Sequence, residues 1–499
     1  MNHNESAEED EANESFWSPE VSSSGMDRNP SPPPADGEKT EEAGDAIGET
    51  VYSKHWLFST LTRLVQMVTK HDSEESDTPM QLADDEEEDL CRVWDMAMDK
   101  DVAGFLQEFK AADILLGVIA KSQCPRLTEI CVGILGNIAC FPDTCLALSQ
   151  NEDLGIVLLL LLGDSDPPTL LETSRMLLTC VSQRDACGLW IERIRQQSAV
   201  CTSLCFIMCS STNLDLLVKV GELVDKLFDL DEELMKSWII TQLREADDSE
   251  SHLDVAASLL EAAKQLRSES PGGLEVYLHV LELLTTTDEG MQMFAARGGP
   301  GKAVWDFLCV LVCEDLCQPD DPPLVLQEQK VLLVQALAVL SALYRLQPQW
   351  NSPMGSCLPL VGSILRVLLY HSEIEENEIL QEIHTQSNAG KDVKPKDDQL
   401  QALLETTAEF LAEILHTLLK EDVAELVQRQ YLTPKMIQAA VSGLLPQFKP
   451  AVQLEQLASL LTEAYPQLAE VTRKRLCAGG PGEPEHALQE LQEPAEKQP

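Results

Sequence analysis

Three stretches between Pro125 and Phe228 carry one apolar pattern at intervals of about forty-three and forty-six residues. In the first, Leu127, Ile130, Cys131, Ile134, Leu135 and Ile138 recur every three or four positions, which lines them along one side of an α-helix. The second keeps Leu170, Leu177, Leu178 and Val181 in register, and the third keeps Leu216, Val220, Leu223, Val224 and Leu227. A striped helix of this kind must bury its stripe, and when the stripe repeats the neighbouring copy does the burying. The spacing is that of armadillo and HEAT units. It predicts an all-α, armadillo/HEAT-like helical solenoid, elongated and with an extended groove rather than a globule with a pocket. Few runs alternate apolar and polar residues, so no substantial sheet is expected.

Composition then divides the chain. Residues 1–50 are acidic and rich in Ser, Pro and Gly, too poor in apolar groups to offset chain entropy, and read as a disordered N-terminal region. Residues 51–70 read as a capping helix, with Trp56, Leu57, Leu61, Leu64, Val65 and Val68 on one side. Residues 71–89 end in the run Asp84 to Asp89, whose self-repulsion predicts a solvated acidic loop. Armadillo-like repeats are expected over 90–370, a disordered charged loop over 371–398, further helical repeats over 399–471 and a disordered tail over 472–499. Asp166-Pro167-Pro168 and Asp321-Pro322-Pro323 read as helix starts, proline in the first turn and aspartate accepting from the free amides.

Charge limits the partners. With 84 acidic against 36 basic side chains among 499 residues, the formal net charge is −48. Such a chain repels a phosphate backbone and attracts basic proteins, so direct nucleic-acid binding is not expected and a protein partner with a basic segment is. The longest aliphatic run, Ile156 to Leu162, is far short of the roughly 20 residues that cross a bilayer, and no membrane association is expected. Most of the 15 cysteines fall on apolar faces of expected helices, as in a protein of a reducing compartment. Cys201, Cys205 and Cys209, like Cys309, Cys313 and Cys317, are spaced by four; this sets each trio along one stripe, and they read as core rather than as metal ligands. The nine histidines form no recognisable dyad, and there is neither a P-loop nor a nucleophile elbow. No catalytic residue, metal or cofactor is expected. Leu400 to Leu404 and Leu457 to Leu461 match an L-x-x-L-L box, but at the spacing any buried helix requires; Arg473-Lys474-Arg475 is a short basic cluster.

Several long strings act together: Val51 to Phe58, Cys91 to Met96, Pro125 to Asn137, Asp166 to Arg175, Leu216 to Gly221, and Asp320 to Pro323 with Leu326 to Lys330. They resemble the serum amyloid A-like 1 family of vertebrates. That resemblance implies an armadillo-type fold, a nuclear location (with the cytoplasm as a further site) and a role promoting cell proliferation, notably of synovial fibroblasts under inflammatory stimulation. It brings no catalytic residues. Glu129-x₃-Gly133-x₃-Asn137 is similar to the third helix of an armadillo unit, where such an asparagine can pair with the backbone of an extended ligand. Glu129, Asn137 and Lys219 are therefore candidate partner-binding residues of a scaffold or adaptor. The alternative is an acidic carrier or chaperone that shields basic nuclear or ribosomal proteins.

Overall fold

The computed structural model describes residues 44–73, 82–245, 254–350, 357–385, 397–446 and 450–478. The expected disorder of 1–43, 386–396 and 479–499 lies outside the described residues. Within them the backbone is helical almost throughout, and the one β-type pairing is an isolated antiparallel bridge between Ala46 and Ser53.

Helix α1 (Lys54–Ser73) and α2 (Asp84–Met96) open the chain. The next helices come in threes, the third always the longest. They are α3 (Lys100–Glu108), α4 (Ala111–Lys121) and α5 (Pro125–Ile138), then α6 (Pro142–Ser149), α7 (Glu152–Leu161) and α8 (Pro167–Ser182). The pattern continues through α9 (Cys187–Gln196), α10 (Ala199–Ser210) and α11 (Leu214–Leu230), and through α12 (Glu232–Glu245), α13 (Val255–Leu266) and α14 (Pro271–Thr285). The last triplet is α15 (Asp288–Ala295), α16 (Gly301–Val310) and α17 (Val325–Tyr344), with a π-helical turn at Leu311–Leu316 inside it. Six helices follow: α18 (Leu358–Thr385), α19 (Asp398–Leu415), α20 (Lys420–Gln428), α21 (Pro434–Leu444), α22 (Pro450–Leu460) and α23 (Pro466–Ala478).

The three sequence stripes are the third helices α5, α8 and α11. Third helices pack against one another in order, from α2 through α5, α8, α11, α14 and α17 to α19, so the ladder runs two units beyond the repeats visible in sequence. The period becomes a distance in space. Asn137 Nδ2 donates to the Trp94 carbonyl (2.8 Å), Arg175 Nη2 to that of Gly133 (3.1 Å) and Gln183 Nε2 to that of Cys140 (3.4 Å), each pair 42 or 43 residues apart. The apolar stripes feed one continuous core, in which Leu127, Ile134, Leu177, Leu217, Leu281 and Leu337 are fully buried. Helix α17 is long and apolar enough to cross a membrane, but it is built into the ladder between α14 and α19. Five of the six leucines of the two L-x-x-L-L strings, Leu400, Leu403, Leu457, Leu460 and Leu461, are buried, and Leu404 is half-buried against the core.

Several boundaries differ from the sequence expectation: residues 44–50 join the fold, with Ile47 buried and Asp45 accepting from the His55 amide, α1 runs on to Ser73, and α23 continues to Ala478, past the expected start of the tail at 472. The acidic run 84–89 is the first part of α2, not loop: carboxylates in the first turn complement the helix N-terminus, and the charges find partners. Glu87 pairs with Arg126 (2.8 Å), Glu88 with Arg92 (2.6 Å), and Asp89 with Arg63 and Arg92. Helix α18 continues through residue 385, well past the expected break at 371, because the segment is dominated by Glu, Ile, Leu and Gln, all compatible with a helix despite their charge. Asp166 caps α8 by accepting from Thr169 N (3.0 Å), as expected, and Asn213 and Ser270 do the same for α11 and α14. Asp321 does not cap. Its carboxylate turns back to Gln318 N (2.7 Å), and α17 starts only at Val325.

Candidate protein-interaction surface

The third helices are buried on the sides that meet their neighbours, and what they leave open is a polar stripe crossing the stack. Close approach of the helices depends on glycine at two positions. A side chain at Gly133 of α5 would put its Cβ 2.2 Å from the ring of Trp94 on α2, and one at Gly221 of α11 would lie 2.5 Å from the ring of Tyr277 on α14. The aromatic ring occupies the space a side chain would need. Tyr277 is fully buried, and its hydroxyl donates to the Leu217 carbonyl (2.7 Å).

Ion pairs tie the open stripe together. Arg126 on α5 meets Glu87 on α2 and Glu129 one turn along its own helix, both at 2.8 Å. Arg175 on α8 binds Glu172 (2.6 Å) while reaching across to the Gly133 carbonyl of α5. Farther along, His279 Nδ1 on α14 lies 2.6 Å from Asp225 Oδ1 on α11. Beside it, burial raises the Glu282 carboxyl above the usual carboxylate range, against the opposing influence of His279. Hence the stripe mixes paired charges of both signs, with acids in excess among the residues just named.

The three candidate residues are not brought together: Glu129 and Asn137 sit on α5, whereas Lys219 is two units away on α11. Glu129 keeps 14% of its side-chain exposure and is held by Arg126. Lys219 keeps 28% and is held by Glu222. It lies about 120° around the helix from Asp225, off the stripe that Asp225 shares with His279. Asn137 is buried, 6% exposed, and its amide donates to Trp94 O, one of the four C-terminal carbonyls that α2 itself leaves without a donor. It joins two ladder rungs rather than facing solvent. Asn137→Ala should lower stability by about 1–2 kcal/mol, the cost of stranding a buried acceptor. Melting curves check this, and binding measured well below the midpoint should be retained.

Sequence reasoning missed Arg126, Glu87, Arg175, Asp225 and His279. The opposite charges three residues apart on successive third helices, Arg126/Glu129, Glu172/Arg175 and Lys219/Glu222, were a usable signal. The cross-helix partners were not, since they come from units some forty to fifty residues away. The cysteine trios lie in or against the core: Cys201, Cys205 and Cys317 are buried, and burial pushes the Cys317 thiol up to about 12. Gln242 Nε2 donates to Cys201 Sγ (3.2 Å).

A family model described as the SAAL1 C-terminal domain matches residues 200–452. The chain is similar to Protein saal1 of Danio rerio, 60% identical over 456 residues that make up 91% of this chain and 94% of that one. It is also similar to Protein SAAL1 of Homo sapiens, 47% identical over 467 residues, 90% of this chain and 98% of that one. Among solved structures, a designed armadillo repeat protein aligns at 15% identity over 57% of this chain and 99% of its own, with a TM-score of 0.35. An engineered protein aligns at 14% identity over 86% and 96%, with a TM-score of 0.40.

Proposed function

The chain belongs to the SAAL1 family, and from that premise we propose that it is a non-enzymatic nuclear scaffold that holds a basic segment of another protein along the open stripe of its ladder. The observation that carries this reading is the stripe itself. It is a run of regularly stacked helices with polar, ion-paired residues on the open side, a surface suited to an extended peptide rather than to a small substrate. The net charge of −48 raises the local concentration of cationic partners and disfavours nucleic acid. Through the resemblance, the role of the scaffold lies in promoting cell proliferation, in synovial fibroblasts under inflammatory stimulation above all.

Crosslinking of the full chain to partners captured from nuclear extract tests the site. Crosslinks should concentrate on α5, α8, α11 and α14, and Glu129→Gln with Glu222→Gln should cut capture about tenfold with melting little changed. The reading falls if crosslinks instead concentrate in 1–43 and deleting that segment abolishes capture. This second outcome is the signature of an acidic carrier, a reading that the net charge alone favours. Exclusion of the tagged chain from nuclei would remove the nuclear part.

A further inference from the structure

One end of the ladder carries an apolar face that the described residues leave exposed. Helix α1 packs on α4 as α4 packs on α7, so it heads the row of second helices, and no described helix precedes it in the chain. The terminal unit of a stacked protein needs a cap on its outer side. Phe58 and Val65 are seven residues apart, hence on one face of α1, and are 46% and 40% exposed. Thr62 and Thr69 lie on that same face, and their hydroxyls donate back to the carbonyls of Phe58 (2.9 Å) and Val65 (2.7 Å) rather than outward. The Phe58 ring meets that of Phe109 edge-on, with centroids 5.2 Å apart, and Phe109 stacks on Phe105 at 6.2 Å, both of them partly buried. Phe58 is thus the half-open member of a cluster of three rings.

Charge sets this face apart from the rest of the molecule. In the sequence of α1, Lys54, Arg63 and Lys70 stand against one acid, Asp72, in a chain where acids outnumber bases more than twofold. Arg63 is held by Asp89 about 140° around the helix from Phe58, whereas Lys54 lies one turn before Phe58 on its own face. A basic segment suits the open stripe of the ladder; an aromatic segment flanked by acids suits this face. The chain contains one. Residues 1–43 carry twelve acids against two bases, and their only Phe and Trp stand together in Glu14-Ser15-Phe16-Trp17-Ser18-Pro19-Glu20. Charge orients such a match and apolar contact supplies most of it.

Connectivity places the two within reach. Asp45 accepts from the His55 amide (2.9 Å) and contacts the Ser53 hydroxyl, so the chain enters the fold beside the first turn of α1. Val65 is about 15 Å farther along the helix axis than His55. Trp17 stands 27 residues before Gly44, a length that spans about 30 Å at coil dimensions and sets a local concentration on the order of 1 mM. We propose that the segment Glu14–Glu20 docks on α1 of the same chain, with Phe16 and Trp17 against Phe58 and Val65, and caps the ladder.

A fluorescein-labelled peptide of residues 10–24, titrated by anisotropy into full-length chains, tests the docking. The Phe16→Ala/Trp17→Ala chain leaves the face open and should bind the peptide with a Kd on the order of 100 μM; the unaltered chain, occupied by its own segment, should bind about tenfold more weakly. Adding Phe58→Ser to the double variant should weaken the peptide at least tenfold, and Val65→Ser replaces it if melting curves show Phe58→Ser to be unfolded. A peptide with both aromatics changed to Ala should not bind. The proposal is overturned by equal binding to the unaltered and Phe16→Ala/Trp17→Ala chains, by binding indifferent to Phe58 and Val65, or by no binding at all. Sedimentation covers the remaining occupant: a dimer that disappears in Phe16→Ala/Trp17→Ala would show the segment crossing to a second copy and would overturn docking within one chain. None of these measurements involves the open stripe, so the capture experiment above can fail while they succeed.

Discussion

Gly133→Ala should destabilise the chain by about 3 kcal/mol, although the same change in an ordinary helix gains about 1 kcal/mol. Two effects of opposite sign compete, and geometry decides between them. The new methyl would sit 2.2 Å from two ring carbons of Trp94, and neither a rigid indole nor a helix buried from Ile130 to Ala139 can yield cheaply. Removing the ring should reverse the sign. In a Trp94→Ala background, Gly133→Ala should become neutral or stabilising, giving a coupling of several kcal/mol in a double-mutant cycle read by chemical denaturation. Additive effects of the two changes would mean that α2 and α5 are not packed as described.

Trp190→Ala should cost about 3–5 kcal/mol, the range for emptying a large aromatic from a core. Trp190 of α9 is fully buried, its Nε1 donates to Ser149 Oγ (2.8 Å), and Arg193 lies over its ring at 5.2 Å. Trp190→Phe keeps most of the volume and loses the hydrogen bond, so it should cost only about 1–2 kcal/mol. Denaturant midpoints at unchanged slope would check both; a loss below about 1 kcal/mol for Trp190→Ala would place the ring outside the core.

The third helices were legible because their information is local: Leu127 to Ile138 states a helical face within a few turns, and two further copies state the period. The first two helices of each triplet were harder. Helices α6 and α7 are 8 and 10 residues long, too short to show periodicity clearly, and α7 is apolar nearly all round. The acidic start of α2 was misread because counting like charges ignores Arg63, Arg92 and Arg126, two of them 26 and 39 residues from their partners. Asn137 looked like a ligand contact because its type and spacing fit one. Only the position of Trp94 O shows that the amide is spent within the stack.

The contacts between third helices also imply how the length of this chain can drift. Three cross-rung bonds between α2, α5 and α8 link residues 42 or 43 positions apart, yet Asp225 and His279 meet across 54 and Tyr277 reaches Leu217 across 60. The surplus falls between third helices, in a stretch that includes residues 246–253, between α12 and α13. Residues added or deleted between helices leave every rung facing as before, whereas one residue gained inside a third helix turns all that follows by about 100° and exchanges its buried and open sides. Alterations of length should therefore be tolerated at the joints and refused along α5, α8, α11 and α14. Stacked units of this kind are punctuated like a text, in which words can be spaced apart but not misspelled.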